Sequence, residues 1–304
     1  DSMKLHILDT HFQGMAQVTA VYLLVGSEGP VLVETGPGST LPAIITALDA
    51  HGFRPADIRH VLLTHIHLDH AGAAGWWAQQ GAQLYVHHVG APHLIDPSKL
   101  LASATRIYGD KMDTLWGDFL PAPAERVTPL YDGDVVSAGG LTFTALDTPG
   151  HAYHHHTYRL RDYRAGEIAF TGDAAGVNLP QVNVVDLPAP PPEFHMETWL
   201  ATLDRLEAAE LTTIYPTHFG PIDDVHGHLV ALRGLLIDAV AFVAERQAAG
   251  VERDALLAEY VAWNRQRARA NHISPSAIDR YEAANPLFMS VDGILRYLRK
   301  RGAV

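Results

Sequence analysis

Val18 to Gly26 is an almost unbroken apolar run and Pro30 to Glu34 is a second, which predicts a pair of strands in a hairpin. The turn residues Thr35-Gly36-Pro37-Gly38 close it. Leu41, Ile44, Ile45 and Leu48 then recur at helical spacing up to about Ala50, with Ser39 as the predicted cap, and a β-type run follows from Arg59 to Thr64. Strand, helix, strand is the signature of an α/β layer. Another helix is expected over Ala71 to Gln80, a short strand over Gln83 to Val86, and an irregular helical stretch from Val89 to about Leu120.

Between Val127 and Phe170 short apolar runs alternate with turn residues, including Asp132-Gly133-Asp134 and Gly139-Gly140, and predict strands at Leu141 to Leu146, Thr157 to Arg161 and Ile168 to Thr171. Gly176 to Pro192 carries five prolines and reads as a long loop, whose apolar content predicts a packed lid. A helix over Glu193 to Ala209 and a strand over Thr212 to Tyr215 follow. Beyond Pro221 the pattern is helical only, divided at Gly250, Ser274-Pro275 and Asn285-Pro286 into four helices, with Ser274 as N-cap and Pro275 at the first helical position.

Composition narrows the function classes. Apolar residues make up 47% of the 304, enough for a sizeable core. The formal charge of −12 disfavours a nucleic-acid partner, which calls for basic excess. No cysteine is present, so disulfides, thiolate nucleophiles and Cys-type zinc sites are excluded. No uninterrupted apolar run approaches the roughly 18 residues of a membrane span, and the start of the chain lacks a basic and then apolar leader; the expectation is a cytoplasmic protein that does not enter a membrane. Nineteen histidines stand out, because imidazole is the commonest metal ligand and general base.

They cluster directly after the Arg59 to Thr64 strand, in Thr64-His65-Ile66-His67-Leu68-Asp69-His70-Ala71-Gly72. A strand end presents alternate side chains on one side, which suits His65 and His67, and the chain must then turn for Asp69 and His70 to face a second point nearby. Three later segments also put a ligand-type residue in the turn after a strand: Thr148-Pro149-Gly150-His151, Thr171-Gly172-Asp173 and Pro216-Thr217-His218-Phe219-Gly220. If these ends meet on one edge of a β core, five imidazoles and two aspartates are available to two divalent ions.

The HxHxDH loop, the later His and Asp and the final His, in this order over roughly residues 5–225, resemble the metallo-β-lactamase-fold hydrolase superfamily. The resemblance implies an α/β fold, the four-layer αββα sandwich, as a catalytic domain over residues 1–225 with a C-terminal α-helical extension over 226–304. It further implies that His65, His67 and His151 hold one metal, that Asp69, His70 and His218 hold the other, and that Asp173 bridges them. Zinc is the first expectation, and iron or manganese also suits mixed imidazole and carboxylate ligands. A pair of divalent ions readies a water for attack and polarises the substrate oxygen, with Asp69 placed to orient the nucleophile and move a proton. The implied activity is hydrolysis of a carboxylic ester, thioester or lactone in a small molecule. The alternatives are a phosphodiesterase or ribonuclease of the same fold and a metal-bound binding protein without turnover.

Departures from family patterns narrow this further. The cysteine of common zinc β-lactamases is absent where Asp173 stands, and His67 occupies the position that is Glu in flavin-linked di-iron members. The tyrosine that some acyl-homoserine lactonases carry three residues after the bridging Asp is here Gly176, and no basic glutathione-binding segment of the glyoxalase II type matches the tail. His155, four positions after His151, is a candidate substrate contact. So are Asn178 and Phe194 with Val182, Val184 and Leu187, as apolar walls fed by the loop. His87, His88 and His93 have nothing near them in sequence to complete a ligand set, and Trp76 and Trp77 read as packing residues. Arg296, Arg299, Lys300 and Arg301 read as a solvated helix end, and the tail is free either to close the pocket or to build a homodimer.

Overall fold

The computed structural model describes residues 3–162 and 166–302. Two mixed sheets lie at its centre. The first has six strands in sequence order: β1 (Lys4–Asp9), β2 (Ala20–Gly26), β3 (Gly29–Val33), β4 (His60–Leu62), β5 (Gln83–His87) and β6 (Val127–Leu130). Its first three strands are antiparallel and β3 to β6 are parallel. The second contains β7 (Val135–Ala138), β8 (Leu141–Asp147), β9 (His156–Asp162), β10 (Gly166–Gly172) and β11 (Thr213–Pro216) in the order β11-β10-β9-β8-β7, with only β10 and β11 parallel.

Side-chain alternation explains why β2 is apolar throughout. Tyr22 and Leu24 point between the sheets, where they meet Phe143, Tyr158, Leu160 and Phe170. Val21 and Leu23 point the other way, against Ile44, Leu48 and Trp77 of the helices α1 (Leu41–Ala50) and α3 (Ala74–Gln79). A strand buried on both faces has no polar side to show. The outer face of the second sheet is covered in turn by α7 (Met196–Ala208) and α8 (Val225–Ala248), giving the four-layer αββα sandwich. The remaining helices are α2 (Leu68–Ala71), α4 (Ala91–Ile95), α5 (Ser98–Tyr108), α6 (Met112–Trp116), α9 (Arg253–Ala270), α10 (Pro275–Ala284) and α11 (Leu287–Gly302).

Two local expectations change and one strand is added: Lys4 to Asp9, for which no element is expected, pairs along β2 as the edge of the first sheet. Ser39 does not cap α1: its hydroxyl donates to the Leu115 carbonyl at 2.6 Å, tying the helix entrance to α6. The helix expected over Ala71 to Gln80 is split into α2 and α3 around Gly72 and Ala73. The α10 start is as expected, with Ser274 Oγ accepting from the Ala277 N–H at 3.2 Å.

By length and composition α8 passes as a membrane span, with a mean hydropathy of 1.7 over 18 residues. Its apolar side, including Leu229, Leu232, Leu236, Ala239 and Val243, packs in one core with Trp199 and Leu203 of α7 and with Val291 and Ile294 of α11. The tail therefore shares its core with the sandwich. It also fixes the Pro-rich loop. Asp186 accepts from Asn264 and Asn285, Tyr281 donates to the Val184 carbonyl at 2.6 Å, Ser290 donates to the Leu187 carbonyl at 2.9 Å, and Ala189 N–H donates to Ser290 Oγ at 3.1 Å.

One buried carboxylate joins the strand ends. Glu34 follows β3 in a left-handed backbone conformation with φ of 71°, which a residue with a Cβ adopts only when its surroundings require it. Its Oε1 accepts from the Thr64 N–H at 2.8 Å, beyond β4. Its Oε2 accepts from the hydroxyls of Thr64 at 3.0 Å and Thr217 at 2.8 Å, beyond β11, and from His70 Nδ1 of α2. Four donors on three segments thus converge on one side chain that is fully buried.

Glu34→Gln retains the shape but turns an amide N–H₂ towards donors, and should destabilise the metal-free protein by about 2–3 kcal/mol, the range for hydrogen bonds to a charged group. Denaturant unfolding measures it, and an unchanged midpoint contradicts the role. A Cβ on Gly293 of α11 would lie 1.8 Å from the Ala189 carbonyl oxygen of the loop. Gly293→Ala should therefore cost about 1–3 kcal/mol by overpacking, read as a lower thermal midpoint; a wild-type midpoint contradicts the close approach.

Candidate metal centre

All seven side chains singled out from the sequence meet at one edge of the sandwich, where β4, β8, β10 and β11 end. Ligand atoms of His65, His67 and His151 lie within 4.8 Å of one another, and so do those of Asp69, His70, Asp173 and His218. Asp173 spans the two groups: its Oδ2 is 3.2 Å from His151 Nε2 and 3.2 Å from His70 Nε2. Asp69 Oδ2 lies 3.3 Å from His70 Nε2 and 3.0 Å from His218 Nε2. Asp69 keeps 19% of its side chain exposed against 4% for Asp173, so Asp69 is the carboxylate that faces outwards.

Backbone and hydroxyl partners set which ring nitrogen points inwards. His151 Nδ1 donates to the Pro188 carbonyl at 2.7 Å, His218 Nδ1 to the Val18 carbonyl at 3.0 Å, and His70 Nδ1 to Glu34. The Thr64 hydroxyl gives its proton to Glu34 and so accepts from His65 Nδ1 at 3.0 Å. In each of these four rings the outer nitrogen is held by a partner and carries a proton, which leaves Nε2 facing the centre as the atom available to a metal. His67 completes the first group through Nδ1, at 3.0 Å from His65 Nε2 and 3.1 Å from His151 Nε2.

That arrangement fits cations. His67 can give a proton to only one of two neighbouring ring nitrogens, and Asp173 Oδ1 is buried with no hydrogen-bond partner among the described residues. Buried polar atoms without partners are rare and costly, and a divalent ion in each group would satisfy them. Burial, reinforced by neighbouring imidazoles, pushes His65 and His67 well below the usual imidazole range. His70 is driven down by burial too, but Asp173, Asp69 and Glu34 outweigh that and raise it well above the range. Burial disfavours charge on Asp69 and Asp173, yet His70 beside both holds their carboxyls below the usual range.

The centre opens into a cavity of about 210 Å³ reached past His67, Asp69, His151 and Asp173. Its walls come from Phe12, from Tyr108, Leu115 and Trp116 of α5 and α6, from Pro188 and Pro190–Pro192 of the loop, and from Ala283 to Pro286 and Met289 of the tail. Among the described lining residues none is Lys or Arg. The proposed substrate contacts lie elsewhere. His155 is fully buried behind the centre, where it bonds the Thr148 hydroxyl at 2.9 Å and accepts from the Asp173 N–H at 3.1 Å. Phe194 packs with Trp199 and Tyr297, and Asn178 is outside the lining, as are Val182, Val184 and Leu187. The loop shapes the wall through its prolines instead.

A third group joins His87 and His156 through Asp147, which sequence spacing did not connect. His87 Nδ1 accepts from the Val89 N–H at 3.1 Å, so Nε2 carries the proton and points at Asp147 Oδ1, 3.5 Å away. His156 Nε2 lies 2.6 Å from the same oxygen. The carboxylate is thereby already hydrogen-bonded, and no free lone pair of His87 faces a cation. Burial, with His156 second, takes His87 down to about 4. Trp77 is fully buried and Trp76 partly so, as packing residues. Glu34 and Tyr108 escaped sequence reasoning; the one signal for Glu34 was a charged residue ending an apolar strand before a Gly/Pro turn.

Comparison with known proteins agrees with this architecture. An atrochrysone carboxyl ACP thioesterase of Cryptosporiopsis sp. is 27% identical over 215 residues, 70% of this chain and 52% of its own length. A lactamase-like protein, adaB, of Aspergillus niger is 30% identical over 211 residues, 69% of this chain and 52% of its own. The chain thus spans about half the length of these relatives. A metallo-beta-lactamase family protein of Thermus thermophilus superposes with a TM-score of 0.69 over 100% of this chain and 95% of its own at 22% identity, which shows a shared fold. The sequence profile of the metallo-beta-lactamase superfamily matches residues 15–218, two thirds of the chain and all seven residues of the centre, and the chain belongs to that superfamily.

Proposed function

We propose that the chain is a hydrolase of carboxylic thioesters, esters or lactones in small molecules, and that His65, His67 and His151 with Asp69, His70, Asp173 and His218 hold two divalent metal ions, zinc before iron or manganese. The observation that carries this reading is the set of inward-facing ring nitrogens and carboxylate oxygens described above, placed at the floor of an apolar cavity with no Lys or Arg among its described lining residues. Bound divalent ions supply hydroxide at neutral pH and an electrophile for the substrate oxygen. The chain's own residues do the rest. Asp69, outward-facing and beside His218 and His70, takes the proton of the attacking water and returns it to the leaving group. The prolines and the aromatic wall exclude bulk water and hold an apolar acyl group. Residues 226–304 act as an extension that closes this cavity through Ala283 to Met289.

The curated relative named as an acyl carrier protein thioesterase supports a thioester among the acyl classes. A polyanionic phosphodiester or RNA suits the cavity less, because no described lining residue is basic. Of the basic helix end, Arg301 is paired with Glu197 at 2.7 Å.

Assay of the purified protein against aryl esters, acyl thioesters, lactones, a phosphodiester and structured RNA, with and without chelator, separates the readings. The expected result is turnover of acyl substrates that chelator abolishes and added zinc, iron or manganese restores. Asp69→Asn should lower kcat by at least about 100-fold, as for loss of a general acid–base. Turnover of the phosphodiester and RNA alone overturns the acyl reading, and metal content without any turnover favours a binding protein.

A further inference from the structure

Deeper in the reading just given, and resting on it, is the question of which group of this chain meets the acyl oxygen. Polar groups on the cavity wall away from the centre are those of Gln13, Ser103, Tyr108 and Asn285 and the indole N–H of Trp116; Gln13 is exposed, and the Trp116 N–H is buried with no partner among the described residues. Asn285 is committed, its amide N–H₂ to Asp186 at 3.0 Å and the Leu187 carbonyl at 3.1 Å, and its oxygen to Ser290 at 3.4 Å. Tyr108 is not. It is the last residue of α5, and Gly109, with positive φ, turns the chain through the short 3-10 turn Gly109–Lys111 into α6, so that its ring meets Trp116 edge to face at 5.2 Å. Trp116 is in turn stacked on Phe12 at 5.3 Å. This aromatic row fixes the ring while the phenol makes no hydrogen bond to any described residue, and Tyr108 shares the cavity with Asp69 and His67.

Burial, and next the charge of Asp69, push the phenol up to about 12, so it remains an O–H donor at every working pH. A held donor without a partner among the described residues, lining the same cavity as the outward carboxylate of Asp69 and with no Lys or Arg in the described lining, is what a neutral acyl substrate needs from the protein. Such a donor strengthens as negative charge gathers on the oxygen, and so favours the transition state over the bound substrate.

We propose that Tyr108 is a substrate-contacting catalytic residue whose phenol donates to the acyl oxygen of a neutral, apolar thioester or ester and stabilises it as it becomes an oxyanion. As the water oxygen bonds to the carbonyl carbon, its proton passes to Asp69 and the carbonyl electron pair moves onto the oxygen facing Tyr108. The pair then returns, the carbon–sulfur or carbon–oxygen bond breaks, and the leaving group takes the proton held by Asp69. Tyr108 keeps its own proton throughout. Acid and thiol or alcohol leave, so one water is consumed per bond.

Tyr108→Phe tests this with the aromatic row intact. Two readouts are compared in metal-loaded protein: hydrolysis of the phenylacetyl thioester of N-acetylcysteamine, and the affinity for benzylphosphonate, a charged tetrahedral mimic that is not turned over. The expected result is a kcat lower by about 10- to 100-fold with KM nearly unchanged, and phosphonate binding weaker by about tenfold, as for loss of one hydrogen bond to a charged acceptor. Metal content and thermal midpoint should match wild type. Phosphonate affinity that is equal in wild type and variant, or absent in both, overturns the assignment, as does an unchanged kcat. If wild type hydrolyses no acyl compound but the variant still loses phosphonate affinity, the acyl-hydrolase reading fails and the donor role of Tyr108 stands.

Discussion

The Glu34 carboxylate and the four donors that converge on it constrain everything else at the functional edge. Strands β3, β4 and β11 belong to two different sheets, and their ends would otherwise be positioned only by loops. Burying a carboxylate in that seam is costly unless each of its lone pairs is matched. Here the matching groups are the Thr64 amide and hydroxyl, the Thr217 hydroxyl and His70 Nδ1, so satisfying the carboxylate and registering the strand ends are one event. The same bonds settle tautomers. With its proton given to Glu34, the Thr64 hydroxyl must accept from His65, and His70 must donate outwards; both rings are left with Nε2 turned inwards.

Above that floor, the cavity walls come from parts far away in sequence. Phe12 comes from the β1–β2 connection, where His11 and Gln13 on either side of it are left-handed, and it continues the row of Trp116 and Tyr108. The tail supplies the opposite wall and at the same time bonds the Pro-rich loop from above. An apolar cavity with these walls and a few polar groups at its floor is the usual form of a small-molecule site.

The residues of the centre were legible because each sits in a short local pattern, a strand end followed by a turn. His65, His67, Asp69 and His70 share one loop, and His151, Asp173 and His218 repeat the pattern. Long apolar runs such as Val18 to Gly26 and the helical periods of the tail were legible for the same local reason. What was not legible depends on pairing. Glu34 is one more charged residue until Thr64 and Thr217 are brought to it from other strands, and β1 acquires its strand character from lying along β2. His155 looked like a substrate contact by its spacing from His151, but β9 turns it behind Asp173. The tail helices could be counted, whereas their contact with the loop could not, since it follows from where Gly293 allows α11 to approach Ala189.

The central claim is that two interlocked ligand sets share Asp173. Elemental analysis of the protein reloaded with zinc and then exhaustively dialysed tests it most directly. Two metal ions per chain are expected, falling to one or fewer in Asp173→Ala with the fold retained. Uptake of less than one ion by the wild-type chain, or full uptake of two by Asp173→Ala, would contradict it.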